Sequence, residues 1–422
     1  MQDKNSKNII ILITNAFPFM QVEQFLETEI NYFNKNKLII VPSLISEVQR
    51  DIDDKIKVEY FLAKNIQLSL TKKLLYIMNG ICNKLFIKEH INENLLNKSK
   101  LKIYLSSYIR YKKYYELFDT YFSNLEFLSQ TIVYTYWNTE ITYALQMLKV
   151  KYNYILVSRI HGYDIYKERR PFEYMPLKKQ FTNNIDKIFT ITDNAKKYLN
   201  DTYGFSYNKL EVSRLGVENK NIITKPNKKN VLHIVSCSFL LNVKRVDKII
   251  EALNIISKMN PNINYQWTHI GGGKLYNKLQ QRANILFKDV MNVEFNFLGN
   301  LDNIDVYQFY KENSVDVFVN TSVSEGVPVS IMEAMSCHIP IIAPDVGGIS
   351  DMLIDKVNGC LLSADCLIIE IVNALDMCEY FKDRKTREAS YQIYNEKYNA
   401  KYNYSAFIKK LITLRGTSLA KI

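Results

Sequence analysis

Two glutamates, eight residues apart, frame a loop that leads into a short helical segment. The stretch Thr321–Pro340 reads TSVSEGVPVSIMEAMSCHIP and contains Glu325 and Glu333. Pro328 suits a helix start, where its missing N–H would have no partner, and Gly326 allows loop angles closed to other residues. Carboxylates accept hydrogen bonds from hydroxyls, and a helix N-terminus favours anions. The stretch therefore predicts a site for a ligand with both hydroxyl and phosphate groups, such as a sugar nucleotide.

Ser330 lies three residues before Glu333 and shares its helix face, which predicts a phosphate contact for its hydroxyl. Acidic residues at a helix start can instead complement the helix dipole. That alternative explains Glu325, which precedes the helix, but not Glu333, which lies more than a turn inside it among apolar residues. The pair therefore favours ligand binding.

Two further motifs carry weaker signals. GGGKLY at Gly271–Tyr276 follows a strand and opens a helix, but it has Tyr276 where the dinucleotide fingerprint needs a third glycine. A tight strand-to-helix turn is the better interpretation, and a phosphate or base edge could still touch its amides. RDIDDK at Arg50–Lys55 contains an Asp-x-Asp pattern that binds metal in some sugar-nucleotide enzymes. Such short acidic patterns are common by chance, so we predict no metal site.

The composition predicts an ordinary globular protein of two domains. The chain has 422 residues, too many for one hydrophobic core, with 47% hydrophobic and 23% charged residues. Its N-terminal NIIILITNAFPF is typical of a first strand rather than a secretory signal, and no apolar run reaches membrane-spanning length. We therefore expect a cytoplasmic protein. The six cysteines form no CxxC pair, which predicts reduced thiols and no structural metal.

The net charge of +12 is unevenly distributed. Between Lys64 and Asp119 there are eleven Lys or Arg residues and four Asp or Glu residues, a surplus of seven. Such an excess is typical of proteins that bind nucleic acid, anionic membranes or phosphorylated substrates. No nucleic-acid-binding signature accompanies it, so we predict no nucleic acid partner. Peripheral contact with an anionic membrane and a merely solvated helical face both stay open.

Apolar segments of strand length alternate with segments of helix length, which predicts parallel sheets covered on both faces. The predicted strands are NIIILIT, KLIIVPS, KVEYF, TIVYTYW, YILVSRI, KIFTITD, VLHIVSCSF, YQWTHIGGG, VEFNFLG, VDVFVN, IPIIAP and GCLLS. We predict a doubly wound, Rossmann-like domain over 1–217 with a helical insertion at about 68–122, a linker over 218–230, and a second such domain over 231–395. A C-terminal helix over 396–422 is expected to pack back on the first domain. Ligands bind beyond the carboxyl ends of such strands, so a cleft between the domains is the predicted site.

The stretch SEGVPVSIMEAMSCHIPIIAPDVGGISDML closely resembles the E-x7-E signature of retaining glycosyltransferases of family 4, which have the GT-B fold. Other segments resemble further parts of that family, in the same order, over nearly all of the chain. They are LITNAFPFMQVEQFLETEI, VSRIHGYDIY, KIFTITDNAKKYLNDTYGFSYNKLEVSRLGV, SCSFLLNVKRVDKIIEAL, THIGGGKLYNKL and FLGNL. The resemblance implies an α/β fold of two Rossmann-like domains facing across a cleft, the first on the acceptor side and the second binding the donor.

The resemblance also implies an activity. A hexose-type sugar would pass, with retention, from a UDP or GDP sugar to a saccharide or lipid-linked saccharide acceptor in cell-surface polysaccharide synthesis. His161, Lys244 and Glu325 would be catalytic, with Lys244 neutralising the departing diphosphate. The residues that would bind the donor are Glu333, Gly326, Val327, Pro328, Ser330, Arg245 and Gly272.

Two positions depart from the family pattern. Phe239 stands where an Arg is usual, and Arg245 is the candidate to compensate for it. Cys337-His338 replaces a pair that normally includes a Gly, which we expect to be a packing change away from the chemistry. The first departure concerns the strength with which the diphosphate is held.

Aromatic side chains with polar tips suit the faces of sugar rings. Phe19 and Glu23 in the segment FPFMQVEQF, and Tyr136 and Trp137 in YTYWN, are therefore the predicted acceptor side. Both segments could equally belong to the core, and for Tyr134 the two interpretations are balanced.

The sequence offers no evident nucleophile–base pair, which fits same-face transfer in which the leaving diphosphate helps to deprotonate the acceptor hydroxyl. No metal cofactor is expected, because Lys244 and the helix N-terminus take its charge role. Two other classes stay open: a sugar-nucleotide 2-epimerase, which would need more acidic and His residues in the cleft, and a non-catalytic sugar-nucleotide-binding protein, which Phe239 allows. A membrane-associated scaffold would not need Glu325, Lys244 and Glu333. The donor sugar, base, acceptor, linkage and oligomeric state also stay open.

Overall fold

The structure is a computed structural model that describes residues 9–20, 23–64, 67–126 and 128–419. It consists of two compact units. The first combines the chain up to Arg214 with the segment from Tyr404, and the second is Leu215–Asn403. Each unit is built on one parallel sheet, so the predicted α/β class with two parallel-sheet domains is confirmed. The segment 218–230, predicted as a linker, belongs to the second unit and contains no helix or strand.

The first unit has a seven-stranded sheet in the order β3-β2-β1-β4-β5-β6-β7. Its strands are β1 (Ile10–Thr14), β2 (Leu38–Pro42), β3 (Lys57–Val58), β4 (Ile132–Thr135), β5 (Ile155–Ile160), β6 (Lys187–Thr190) and β7 (Leu210–Val212). Every residue of β1, β4 and β5 is buried, which explains why apolar residues predominate in them. β7 was not among the predicted strands. The strand predicted at KVEYF is shorter than expected, because only its first two residues form a strand.

Helices cover this sheet and form the insertion. They are α1 (Phe25–Glu29), α2 (Phe61–Lys64), α3 (Leu70–Ile81), α4 (Lys84–Glu93), α5 (Lys98–Phe122), α6 (Glu140–Tyr152), α7 (Asp193–Tyr203) and α15 (Ala400–Leu419). The predicted insertion consists of three helices, α3 to α5. Its breaks lie at Asn83 and Asn97, whose side chains accept hydrogen bonds from the first amides of α4 and α5. Among the described residues, no helix has an apolar run long enough to cross a bilayer.

The C-terminal helix α15 closes the core of the first unit. Phe407 is fully buried against β1, β4 and β5. Its ring centroid lies 4.2 Å from the guanidinium carbon of Arg159, which forms a wholly buried ion pair with Glu29 at 2.5 Å. Tyr134 donates a hydrogen bond to the same carboxylate at 3.0 Å. Tyr134 therefore belongs to the core, which decides between its two interpretations.

The second unit has a six-stranded sheet in the order β10-β9-β8-β11-β12-β13. Its strands are β8 (Val231–Cys237), β9 (Asn264–Ile270), β10 (Val293–Gly299), β11 (Val317–Val319), β12 (Ile341–Pro344) and β13 (Gly359–Leu362). Its helices are α8 (Asp247–Met259), α9 (Tyr276–Leu286), α10 (Asn303–Glu312), α11 (Val329–Ser336), α12 (Ile368–Leu375), α13 (Cys378–Lys382) and α14 (Arg384–Lys397). All six strands coincide with predicted ones.

Candidate functional site

The loops that follow β8 and β11 lie at the point where the strand order of the second sheet reverses. β8 pairs with β9 on one side and with β11 on the other. The strands after β8 therefore extend the sheet first to one side, through β9 and β10, and then to the other side, through β11, β12 and β13. In open parallel sheets, ligands bind at such a switch point beyond the carboxyl ends of the strands. The β8 loop carries Lys244, the β11 loop carries Glu325, and α11 carries Glu333.

Lys244 and Glu325 form an ion pair across this switch point. The Lys244 Nζ lies 2.7 Å from Oε1 of Glu325. The side-chain amide of Asn320 donates to the same oxygen at 3.1 Å. Glu325 is only 8% exposed, so its charge depends on these partners rather than on bulk water. The structure thus brings together two of the three residues predicted to be catalytic.

Thr321 fixes the loop that carries Lys244. Its buried hydroxyl is shared between the carbonyl oxygens of Lys244 at 3.0 Å and Arg245 at 2.9 Å. One step further along, the amide of Val323 donates to the carbonyl of Val243 at 2.9 Å. The β8 and β11 loops therefore hold each other in register, which orients the Lys244 ammonium toward the carboxylate.

Glu333 lies in the second turn of α11 and is 7% exposed. The side-chain amide of Asn303, at the start of α10, donates a hydrogen bond to its Oε1. Burial raises the pKa of Glu333 to about 7, and the hydrogen bond from Asn303 opposes the rise. The carboxyl therefore changes its charge close to neutral pH, and a ligand hydroxyl that donates to it would favour the ionised form.

Cys237, the last residue of β8, lies near both Lys244 and Glu333. Burial raises the pKa of its thiol to about 12, the charge of Glu333 adds to the rise, and Lys244 opposes it. Lys244 lies in the loop that follows β8, and Glu333 lies in α11, which follows the neighbouring strand β11. The two glutamates and the lysine therefore surround one edge of the second sheet.

The glycines after β9 form a tight turn against the β8 loop. Gly271 has a φ of +133°, and a Cβ there would lie 2.0 Å from the carbonyl oxygen of Ser238, so only glycine fits. The amide of Gly272 donates to Oδ1 of Asn300 at 2.6 Å, and its carbonyl accepts from Leu240 at 2.8 Å. Gly272 is buried and its amide is engaged in this way, so its predicted contact with the donor stays a prediction.

The other residues predicted to bind the donor line the entry to α11. Pro328 directly precedes the first residue of the helix, with a φ of −72°. Val327 and Pro328 are buried, whereas Ser330 is half-buried. The carbonyl of Gly326 accepts a hydrogen bond from the amide of Gly348 at 2.7 Å, which ties the β11 loop to the segment after β12. Their contacts with a ligand stay predictions.

The sequence predicts that Arg245 compensates for Phe239 as a second cation on the diphosphate. In the structure, Arg245 already has another partner. The Arg245 guanidinium pairs with Asp247, in the first turn of α8, at 3.0 Å. Lys244 pairs with Glu325 instead, so the two neighbouring cations have different partners. Phe239 is 53% exposed. Compensation by Arg245 would therefore require its guanidinium to leave Asp247.

In the first unit, the strand order reverses between β1 and β4, and His161 follows the next strand, β5. Its ring centroid lies 4.7 Å from those of Tyr136 and Trp137. Burial lowers the pKa of His161 to about 3, the charge of Arg159 acts in the same sense, and a backbone hydrogen bond at Tyr136 opposes them. The imidazole is therefore neutral at physiological pH. Its Nε2 has no hydrogen-bond partner within the described part of the chain, so a ligand or water would be needed to satisfy it.

Asp164 and Lys178 brace the loop that carries His161. The Asp164 carboxylate accepts the backbone amides of His161 and Asn138, each at 2.6 Å. Lys178 donates to the carbonyl of Asn138 at 3.0 Å and to the carbonyl of Asp164. Both side chains are fully buried, and burial raises the pKa of Asp164 to about 6 while it lowers that of Lys178 to about 8. The brace therefore joins the β4 and β5 loops.

Replacing Asp164 by Ala is expected to lower the free energy of unfolding by about 3–5 kcal/mol, because two backbone amides lose their acceptor and the buried Lys178 ammonium loses the negative charge beside it. Urea titration followed by tryptophan fluorescence measures the loss. Asp201→Ala is the matched control, since that carboxylate is exposed on α7 and its removal should cost no more than about 0.5 kcal/mol. Equal urea midpoints for the two variants would contradict the bracing role.

Glu23, which the sequence predicts to contact the acceptor, instead binds the backbone of a neighbouring loop. Its carboxylate accepts the backbone amides of Asn15, Ala16 and Phe17, each at 2.8 Å, and the indole N–H of Trp137 at 2.5 Å. Four donors fill the lone-pair positions of a carboxylate. Glu23 therefore holds the loop after β1 against the loop after β4 and has little capacity left for a sugar hydroxyl.

The three aromatic residues predicted on the acceptor side differ in exposure. Phe19 is 6% exposed, and its ring centroid lies 6.1 Å from that of Tyr60. Tyr136 is fully buried, whereas Trp137 is half-buried. Phe19 and Tyr136 therefore pack in the core, which corrects the prediction that they contact an acceptor. Of the three aromatic residues, Trp137 alone has a partly exposed side chain.

The sequence of residues 229–377 matches the protein family described as glycosyl transferases group 1. The matched range includes Lys244, Glu325 and Glu333, the three charged groups at the edge of the second sheet. Residues 229–377 therefore resemble a glycosyl transferases group 1 domain. The predicted resemblance is therefore confirmed over most of the second unit.

Two curated proteins are similar to this chain over about half of its length. The GtfA subunit of a UDP-N-acetylglucosamine–peptide N-acetylglucosaminyltransferase from Streptococcus agalactiae is 26% identical over 255 residues, 55% of this chain and 47% of the relative. The O-antigen biosynthesis glycosyltransferase WbnH of Escherichia coli is 26% identical over 233 residues, 52% of this chain and 63% of the relative. This chain thus spans about half the length of the curated relatives it matches.

Among solved structures, the lipopolysaccharide outer core galactosyltransferase WaaB has the same fold. It superposes with a TM-score of 0.64 at 18% identity, over 95% of this chain and 99% of WaaB. The GT-B fold predicted from the motifs is therefore confirmed.

Several side chains that shape the glycosyltransferase domain were missed in the sequence analysis. Asn303, Asn320 and Thr321 hold Glu333, Glu325 and the Lys244 loop, respectively. Asn320 is the last residue of the predicted strand VDVFVN and Thr321 follows it, and polar residues at a strand's carboxyl end are a signal that could have identified them. Asn303 offers no comparable signal, because its partner lies thirty residues away on another helix.

Proposed function

We propose that this protein is a glycosyltransferase that moves a hexose-type sugar from a nucleotide diphosphate sugar to a saccharide or lipid-linked saccharide, with retention of configuration. The observation that carries the proposal is the Lys244–Glu325 ion pair at the switch point of a glycosyl transferases group 1 domain, with Glu333 at the same edge. A cation beside two carboxylates matches a ligand that combines a diphosphate with sugar hydroxyls.

Donor binding would replace the Lys244–Glu325 pair by two contacts with the ligand. The diphosphate would take the Lys244 ammonium, and hydroxyls of the hexose would donate to Glu325. Lys244 and the backbone amides at the start of α11 would then stabilise the negative charge that develops on the leaving diphosphate. Glu333 would accept hydrogen bonds from the ribose hydroxyls. The oxygen of the departing diphosphate would receive the acceptor's proton on the face of the sugar from which it leaves.

His161 would serve as a neutral partner for the transferred sugar. An imidazole with a pKa of about 3 carries no charge at neutral pH, so it would exchange hydrogen bonds with a hydroxyl rather than neutralise phosphate. Its Nε2, which is buried and has no hydrogen-bond partner among the described residues, would make that contact once the donor is bound. The Asp164–Lys178 brace would fix its position.

The relatives favour particular substrates within this class. The GtfA subunit is named for UDP-N-acetylglucosamine, WbnH for O-antigen biosynthesis and WaaB for the lipopolysaccharide outer core. By analogy, we propose a UDP sugar as the donor, with a GDP sugar as the alternative, and a cell-surface polysaccharide as the product. We also propose that transfer needs no metal, since Lys244 and the α11 N-terminus supply the charge that a divalent ion would otherwise provide.

A donor screen tests the proposal. Purified protein is incubated with a panel of UDP and GDP sugars, with and without saccharide and lipid-linked acceptors, in EDTA or in manganese. We expect nucleotide release from one donor, faster with its acceptor, a glycosylated product of retained anomeric configuration, and full activity in EDTA. Nucleotide release with an epimerised free sugar would assign the 2-epimerase class instead. Donor binding without turnover would assign a sensor, and activity restored only by manganese would overturn the metal-free mechanism.

A further inference from the structure

The helices α3 and α4 of the insertion present large apolar side chains to solvent. Leu70, Leu74, Leu75 and Met78 of α3, and Ile87 and Ile91 of α4, are between 55% and 78% exposed. We call these six residues the insertion face. Isolated exposed apolar residues are ordinary, but such a concentration in two consecutive helices marks an interaction surface.

The fold of the first unit does not need the insertion face, because α3 is anchored by its opposite side. Tyr76 and Gly80 are buried there, and a Cβ at Gly80 would lie 3.0 Å from the ring of Tyr108 on α5. The Gly80 carbonyl also accepts a hydrogen bond from Tyr104 at 3.1 Å. The helical wheel therefore has two apolar sides, one packed on α5 and one open.

Exposed lysines lie on α3, on α4 and at the start of α5. Lys73, Lys84, Lys88 and Lys98 are exposed and form no ion pair with an acidic side chain in the part of the chain that the structure describes. On α4, two of them share one helix face with Ile87 and Ile91, at the spacing i, i+3, i+4 and i+7. The surface therefore combines aliphatic side chains with uncompensated positive charge.

This composition fits a lipid surface better than a protein partner. Protein interfaces are enriched in Tyr, Trp and Arg and depleted in Lys, and their strongest contacts are aromatic or Arg side chains. On α3 and α4, Tyr76 is buried, Phe86 is half-buried, and neither helix contains an Arg or Trp. A helix that has Leu, Ile and Met on one face and Lys beside them is typical of segments that lie in the interface of an anionic bilayer.

We infer that the insertion face docks this protein onto anionic membranes, with the aliphatic side chains in the acyl boundary and the lysines at the lipid phosphates. The inference goes beyond the proposed activity and does not depend on it. Docking would restrict the first unit to the surface on which a lipid-linked acceptor is found.

Vesicle flotation tests the inference with the full chain. We expect the protein to float with phosphatidylcholine–phosphatidylglycerol vesicles at least about tenfold more than with pure phosphatidylcholine, and high salt should reduce that difference. Leu74→Glu/Met78→Glu should lower flotation by about tenfold or more, because two carboxylates would enter the acyl boundary. Lys73→Gln/Lys84→Gln/Lys88→Gln should remove the preference for anionic lipid.

The control variant is Ile285→Glu/Met291→Glu, which changes two residues of the second unit that are 75% and 97% exposed. It should float like the unchanged protein. Equal flotation of the Leu74→Glu/Met78→Glu variant, or no flotation of the unchanged protein with anionic vesicles, would overturn the inference. So would self-association in sedimentation velocity that the Leu74→Glu/Met78→Glu variant abolishes without any lipid binding, since the face would then join two copies of this chain.

Discussion

Replacing Lys244 by Ala is expected to lower the turnover number for the accepted sugar nucleotide by about 100- to 1000-fold. The lysine is the cation that the structure places on Glu325, at 2.7 Å, while the neighbouring Arg245 pairs with Asp247. Without it, the charge that develops on the leaving diphosphate would lose its nearest positive partner. Steady-state kinetics of nucleotide release, with the donor and acceptor identified by the screen, measures the effect.

The control for this variant is Lys258→Ala, which removes an exposed lysine from the last turn of α8 in the same unit. It should keep the turnover number of the unchanged protein within about twofold. Thermal unfolding of both variants separates a catalytic loss from a folding defect, since Glu325 keeps its hydrogen bond from Asn320 when Lys244 is removed. A folded Lys244→Ala variant with unchanged turnover would remove the lysine from the mechanism.

Replacing Glu333 by Ala is expected to weaken donor binding by about 10- to 100-fold, the worth of hydrogen bonds to a charged acceptor. The carboxylate is nearly buried and already holds the amide of Asn303. Removing it would leave that amide and the ribose hydroxyls without an acceptor. Isothermal titration of the donor measures the affinity, and Glu396→Gln on the exposed side of α14 is the control for a lost carboxylate.

The pKa of Glu333 also gives donor binding a pH dependence with a definite sign. Because the pKa is raised to about 7, the carboxyl is mostly neutral below about pH 6 and mostly ionised above about pH 8. Ribose hydroxyls donate to the ionised form, so donor affinity should rise with pH across this range. A UDP sugar is a suitable probe, since its diphosphate diester does not titrate there.

Two variants separate this explanation from other titrating groups. Glu333→Gln should bind the donor weakly with no pH dependence near neutrality. Asn303→Ala should move the midpoint to higher pH, because its hydrogen bond holds the pKa of Glu333 down. Unaltered pH profiles in both variants would mean that another group controls binding.

The architecture followed from the sequence because buried parallel strands are the simplest pattern to recognise. β1, β2, β11 and β12 consist almost entirely of apolar residues, and polar residues that follow such strands fall at the carboxyl edge of the sheet. β7 was missed because LEV is too short and too mixed to stand out from the loop around it. The breaks in the insertion were predictable in principle from Asn83 and Asn97, both good N-cap residues.

The site was harder to predict because its side chains owe their roles to partners that are distant in the chain. Glu23 was assigned to an acceptor on residue type alone, yet three backbone amides and an indole more than a hundred residues away fix it in the loop. Lys178 has no local feature that sets it apart from other lysines, and only the folded chain shows it buried beside Asp164. Position in a motif could identify Lys244, Glu325 and Glu333, but not the residues that orient them.

The path of α15 limits how this protein can be divided. The helix starts at Ala400, within the second unit, and from Tyr404 onward its residues complete the interior of the first. Tyr404, Phe407 and Leu411 are wholly inaccessible to solvent. A gene fragment ending at Arg214 would therefore encode a sheet with one side of its interior uncovered and prone to aggregation. Expressing the first unit by itself calls for a circularly permuted gene or for supplying residues 404–419 as a separate peptide.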